Sequence, residues 1–239
     1  MNGLWAQIVE NLSFIIGCVA IIVGLAMLAK LAEHFMPEKR KVSRARYVSI
    51  IGICAAIATV LHMLDFPLLF LAPGFYKLDF SELPVLLCGF FLGPTATVAC
   101  EGIKIVLKLL LKGTTTAFVG DFANFFVGCS LVLPATIFYH LHKSKHSAII
   151  GLIIGSICIT VFGSAFNAIY LLPKFAQLYE LPLDSIIAMG AEINGNIHNV
   201  STFVFFCVAP LNLLKAVMVS VLTMLLYKRV ARPLFGKSL

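Results

Sequence analysis

Apolar residues in this chain fall into seven runs, at 12–31, 47–64, 83–92, 95–111, 122–141, 148–172 and 201–227, with the polar residues gathered between them. A helix needs ~20 apolar residues to cross the ~30 Å hydrocarbon core of a bilayer. The pattern therefore predicts an all-α integral membrane protein of seven spans. The third run is short and stops at Gly93-Pro94, and the fourth carries Glu101, Lys104 and Lys108. The second run opens with small residues four apart, Gly52/Ala56 and Cys54/Ala58, a spacing that lets another helix approach closely.

The connections differ in character. Residues 38–46 form a basic linker. DFPLLFLAPGFYKLDFSELP (65–84) is apolar and aromatic for a loop, which predicts that it folds back over something. KGTTTAFVGD (112–121) is a Gly/Thr-rich turn, and residues 173–200 are partly amphipathic with room for a short surface helix.

Composition agrees with this reading. Hydrophobic residues make up 60% of the 239 and charged residues 12%, against roughly a quarter charged in a soluble domain. The net charge of +7 does not indicate nucleic acid. Twelve of the eighteen Lys and Arg fall at 30–46, at Lys143 and Lys145, and at Lys228, Arg229, Arg232 and Lys237. Each group abuts an apolar run, while Asp65, Asp79, Asp121, Glu180, Asp184 and Glu192 lie in the other loops. Since basic residues favour the cytoplasmic side, alternate crossing puts the N-terminus outside and the C-terminus inside a bacterial plasma membrane.

Several chemistries have no motif here. The tail Gly236-Lys237-Ser238 would need glycine at 231 to make a phosphate-cradling loop, and that residue is Ala231. HExxH and GxSxG are absent, and GFFLG (89–93) lacks dinucleotide-fingerprint spacing. The seven cysteines sit in apolar runs without CxxC spacing and read as small buried hydrophobes, not metal ligands.

What remains is polar residues at membrane depth, where they are expensive and often functional. Glu101 and Lys104, three apart, share a helix face and can pair; Lys108 and Lys112 can snorkel to the surface. Asn212 and Lys215 also share a face, with no acid anywhere in their run. Lys215 must find a partner on another helix, on backbone carbonyls or on a ligand. A bound water or a backbone carbonyl is expected when the ligand is absent. Asn167 lies at a similar depth in the preceding run. Two carboxamides and an ammonium suit a flat heteroaromatic with imide-like edges; equally, the asparagines could only join helices.

Four stretches carry a resemblance: KLDFSELPVLLCGFFLGP (77–94), KLLLKGTTTAFVGDFANFFVG (108–128), FNAIYLLP (166–173) and APLNLLKAVMVSVLTMLLYKR (209–229). Together they resemble the riboflavin-specific substrate-binding (S) component of energy-coupling factor (ECF) vitamin transporters, over residues 45–232. The resemblance implies a six-helix substrate-binding membrane domain at 45–232, an extra N-terminal helix and basic linker at 1–44, and a tail at 233–239. It implies riboflavin as transported ligand, no cofactor, and no enzymatic activity in this chain. The partners it implies are a transmembrane coupling subunit and two ATPase subunits, met through the small-residue face of the second run. It assigns ligand contacts to Asn167, Asn212 and Lys215, to Asp65 where the family carries an acid, and to the backbone of Gly89. Residues 1–44 have no counterpart in the family plan, and its alanine spacing is replaced here by Gly52/Ala56 and Cys54/Ala58. Rival expectations are an S component for flavin mononucleotide or another vitamin, a membrane enzyme using Glu101, Lys104 and Lys108, and a scaffold protein.

Overall fold

A computed structural model describes residues 12–36, 42–114 and 116–235. Helices dominate it. Helix α1 spans Leu12–His34 and α2 spans Arg44–Met63, the latter capped by Ser43, whose hydroxyl accepts from the Arg46 N–H. The aromatic loop after α2 folds back, as its composition predicts. Phe66–Pro67 (β1) pairs antiparallel with Lys77–Leu78 (β2), and Ala72 and Leu78 are buried beneath the turn.

Helix α3, Glu82–Leu92, is hydrophobic nearly all round, which is the signature of a helix with no free face. Every residue from Glu82 to Phe91 is buried. It packs against four neighbours: α2, α4 (Pro94–Lys112), α5 (Val119–His142) and α10 (Ala209–Phe235). At 1.5 Å per residue its 11 residues reach ~16 Å, about half the ~30 Å hydrocarbon core. The break between α3 and α4 falls at Gly93, whose φ of 112° is in the region that favours glycine, followed by Pro94 at the first helical position.

Helix α6, Lys145–Phe166, packs along α5 and α10. It continues through a π-helical stretch, Asn167–Leu171, into α7, Leu172–Leu178. Thus Pro173 does not end the element; it occupies the first turn of α7, where its missing N–H costs nothing. Within the expected second loop the chain forms α8, Leu183–Ala191, then α9, Val200–Phe203, opened by an Asn199/Thr202 capping box. A second π-helical stretch, Val204–Val208, leads into α10.

Against the expectation of seven spans, the described residues contain five helices long and apolar enough to cross a membrane: Ile16–His34, Arg44–Met63, Val119–His142, Lys145–Leu178 and Val200–Tyr227. The third expected span is the short α3. The fourth is α4, whose Glu101, Lys104 and Lys108 dilute its apolar character. Hydrophobic residues cluster around α3, where Phe91 stacks on Tyr227 and the hydroxyls of Tyr139 and Tyr227 bond. A second cluster lies under the hairpin, where Leu78, Ile186, Ile197 and Phe203 meet.

Helix α1 lies outside this bundle against α4 and α5, and most of its apolar side chains remain exposed. Among the described residues it is tied to the bundle by Glu33, whose carboxylate accepts from the Thr95 N–H at 2.9 Å. A negative charge thereby meets the positive N-terminus of α4.

Candidate functional site

Beneath the β1–β2 hairpin a cavity of about 430 Å³ opens between the ends of α4 and α5, the first π-helical stretch and α10. That is within the range of small-molecule sites. Asp65, Asn167, Asn212 and Lys215 all line it. These residues lie up to 150 positions apart, and the fold brings them to one wall system.

The asparagines differ in how far the protein satisfies them. Asn167 begins the π-helical stretch; its Oδ1 accepts from the Tyr76 hydroxyl at 2.7 Å and its Nδ2 donates to Gly163 O at 2.8 Å. Burial pushes the Tyr76 phenol up, so Tyr76 remains a donor. Asn212 is buried, yet its Nδ2 has no hydrogen-bond partner among the described residues. Its close approach to α6 depends on Gly163, where a Cβ would lie 2.6 Å from that nitrogen.

Lys215 finds its protein partners on two acids and not on the backbone carbonyl that the sequence suggests. It is 3.1 Å from Asp79 Oδ2 and 2.9 Å from Glu82 Oε2. Asp79 ends the hairpin loop and Glu82 begins α3, so the partners come from a different part of the chain. Asp79 also accepts from the Ser81 N–H at 2.8 Å and faces His62 Nδ1 at 3.3 Å. Burial alone would raise the Asp79 carboxyl, but the Lys215 ammonium, His62 and Lys104 hold it well below the usual carboxylate range.

The same network continues inward. Lys104 is fully buried, 2.5 Å from Glu101, 3.0 Å from Ser81 Oγ and 3.5 Å from Glu82. Glu101 and Lys104 therefore pair, as their spacing predicts. Glu82 lies between Lys104 and Lys215 and ties α4 to α10 through α3. Lys108 does not snorkel: it is 2.5 Å from Asp121 and donates to Gly113 O at 3.0 Å, because α5 begins with an acid just across the cavity. Taking one member from such a buried set leaves an uncompensated charge and costs about 3–5 kcal/mol.

Two expected contacts fall differently. Asp65 reaches the rim, paired with Lys77 at 3.3 Å. Gly89 is away from the cavity. A Cβ there would meet Thr97 Oγ1 at 2.1 Å and Thr136 Cγ2 at 2.3 Å, so its missing side chain serves the packing of α3 on α4 and α5. Its carbonyl accepts from His140 Nε2 at 2.8 Å. On α2, Cys54 and Ala58 are buried in the core and are not available to a partner, while Gly52 and Ala56 face outward.

Sequence reasoning assigned no role to Tyr76, Asp79, Glu82 or Asp121. The signal available for Asp79 and Glu82 is that LDFSE places two acids directly against the most apolar short run in the chain.

Residues 46–227 match the family described as the substrate-specific component of ECF transporters. The chain is 33% identical over 194 residues to riboflavin transporter RibU of Staphylococcus aureus (strain TCH60), covering 81% of this chain and 95% of that protein. It is 27% identical over 185 residues to riboflavin transporter FmnP of Bacillus subtilis (strain 168), covering 77% and 91% respectively. Its fold is similar to a solved S component of a bacterial ECF transporter, with a TM-score of 0.64 and 32% identity, over 81% of this chain and 99% of the other.

Proposed function

The chain belongs to the substrate-specific components of ECF transporters, and we propose that its cavity binds riboflavin for uptake across a bacterial plasma membrane. It is a membrane transporter component and not an enzyme; in ECF systems ATP is hydrolysed on separate ATPase subunits. The observation that carries the ligand reading is that Asn167, Asn212 and Lys215 together line one cavity of suitable size, with the Asn212 Nδ2 unpartnered among the described residues. A buried donor left unmade costs about 1–3 kcal/mol, and a carbonyl of the isoalloxazine edge removes that cost.

Lys215 fits the same edge without giving up its acids. An ammonium has three donors; Asp79 and Glu82 engage two, leaving one for a ring carbonyl or ring nitrogen. Asn167, held by Tyr76 and Gly163, is placed to meet the neighbouring position, with Asp65 at the rim for the ribityl hydroxyls. Glu101, Lys104 and Lys108, the groups an enzyme reading would use, are engaged in ion pairs.

We assign the other two crossings to α3 and α4, which complete a six-helix domain at 45–232. The 1–44 segment adds one further span, consistent with a family match that begins at residue 46. The basic loops support an external N-terminus and a cytoplasmic C-terminus. The coupling module would meet α2 through Gly52 and Ala56, the outward half of the small-residue face.

The test is a stoichiometric titration of riboflavin fluorescence with purified protein, with flavin mononucleotide and unrelated vitamins as competitors. Quenching by riboflavin at a one-to-one ratio is expected. Folded protein that leaves the fluorescence unchanged would refute the assignment, and stronger competition by flavin mononucleotide would move it to the phosphorylated ligand.

A further inference from the structure

On the opposite side of the bundle from the cavity's hairpin, α6 and α10 diverge to leave a groove of about 1030 Å³ on the outer surface. Its walls are aliphatic: Ile149, Ile153 and Ile157 from α6 face Leu213, Val217 and Val221 from α10, all exposed. From Lys145 to Ile157 the groove follows α6 over 13 residues, a rise of about 18 Å at 1.5 Å per step. Half of a ~30 Å hydrocarbon core is about 15 Å, so the groove has the depth of one leaflet.

Its polar groups are distributed unevenly. Lys143, Ser144 and Lys145 form one end, where the linked Tyr139 and Tyr227 also line it. Lysines at one end of an apolar slot match the headgroup level of a bilayer. Part-way along, Ser220 Oγ is buried with no hydrogen-bond partner among the described residues.

We infer that the α6–α10 groove is a binding site for an anionic phospholipid, with one acyl chain along the Ile149–Ile157 wall and the phosphate at Lys143 and Lys145. The charge complementarity selects an anionic over a zwitterionic headgroup. Each lysine near an anionic surface favours it by about fivefold, or about twenty-five-fold for the pair.

Native mass spectrometry of the detergent-purified protein, titrated with phosphatidylglycerol or phosphatidylcholine, tests this. One tightly retained phosphatidylglycerol is expected, with phosphatidylcholine lost at much lower activation. Lys143→Gln/Lys145→Gln should remove that preference, and Ile153→Trp, which fills the slot, should remove retention of the lipid altogether. Riboflavin titration of each variant confirms a native fold, since none of these residues lines the cavity. Equal retention of both lipids, or unchanged retention by either variant, overturns the inference. So does a result in which Ile153→Trp leaves lipid retention intact but abolishes assembly with the coupling module, because the groove then takes a protein helix.

Discussion

Replacing Lys215 by methionine removes the ammonium while keeping nearly the same length and volume. The proposed function gives that ammonium two separable jobs. It neutralises Asp79 and Glu82, at 3.1 and 2.9 Å, and it offers its third N–H to the flavin. Loss of the first leaves buried carboxylates uncompensated, at a cost of about 3–5 kcal/mol in stability. Loss of the second removes a charge-assisted hydrogen bond worth about 1.5–3 kcal/mol, which weakens riboflavin binding by about ten- to 150-fold. The two effects are distinguished by adding Glu82→Gln to the variant. That change takes away one of the two negative charges that Lys215 faces, so thermal stability should recover in part while affinity stays low. The assays are a detergent-phase melting curve and a fluorescence-quenching titration on the same preparations. An affinity for Lys215→Met within twofold of wild type, in protein that melts cooperatively, would show that the lysine does not touch the ligand. Recovery of affinity together with stability in the double variant would show that it acts only as a counter-ion.

Asn212→Leu removes the unpartnered donor, and binding should fall by about tenfold with little loss of stability, since no protein hydrogen bond is broken. Gly163→Val should have a comparable effect on affinity, because its added carbons occupy the space of the Asn212 amide, as the 2.6 Å approach to a Cβ indicates; titration of both variants checks the pair. Tyr76→Phe frees Asn167 Oδ1 and should weaken binding by a few-fold, equivalent to about 0.5–1.5 kcal/mol; an increase in affinity would mean that Tyr76 competes with the ligand for that oxygen. Glu33→Gln should lower the melting temperature while sparing affinity, as the charge–dipole contact with α4 is worth about 0.3–2 kcal/mol.

The hydrophobic runs carried most of the helical architecture, because a segment that must satisfy its own backbone in lipid has few alternatives to a helix. They say least about α3, where run length and environment diverge. An 11-residue helix enclosed by four neighbours needs to be apolar on every side, just as a spanning helix does, so hydropathy gives both the same signal. The run after Phe166 continued as helix through Pro173 because a π-helical turn precedes it, and nothing in the residue types announces that change of pitch.

Legibility of the site follows a similar division. Asn212 and Lys215 could be joined by helical spacing, and Glu101 with Lys104 likewise, since both pairs lie within one turn. The contacts that satisfy Lys215 cross 136 and 133 positions of sequence, and no local periodicity encodes them. Charge balance does encode part of the answer. Four of the groups in this network, Asp79, Glu82, Lys104 and Lys215, alternate in sign, and each buried ammonium lies between two carboxylates. A bilayer core tolerates these charges only together. Lys104, whose three acceptors are all protein groups, is held wholly within the network, whereas Lys215 alone of the two lysines also reaches the cavity. The lysine that the sequence could not pair is the one the fold leaves with a donor to spare.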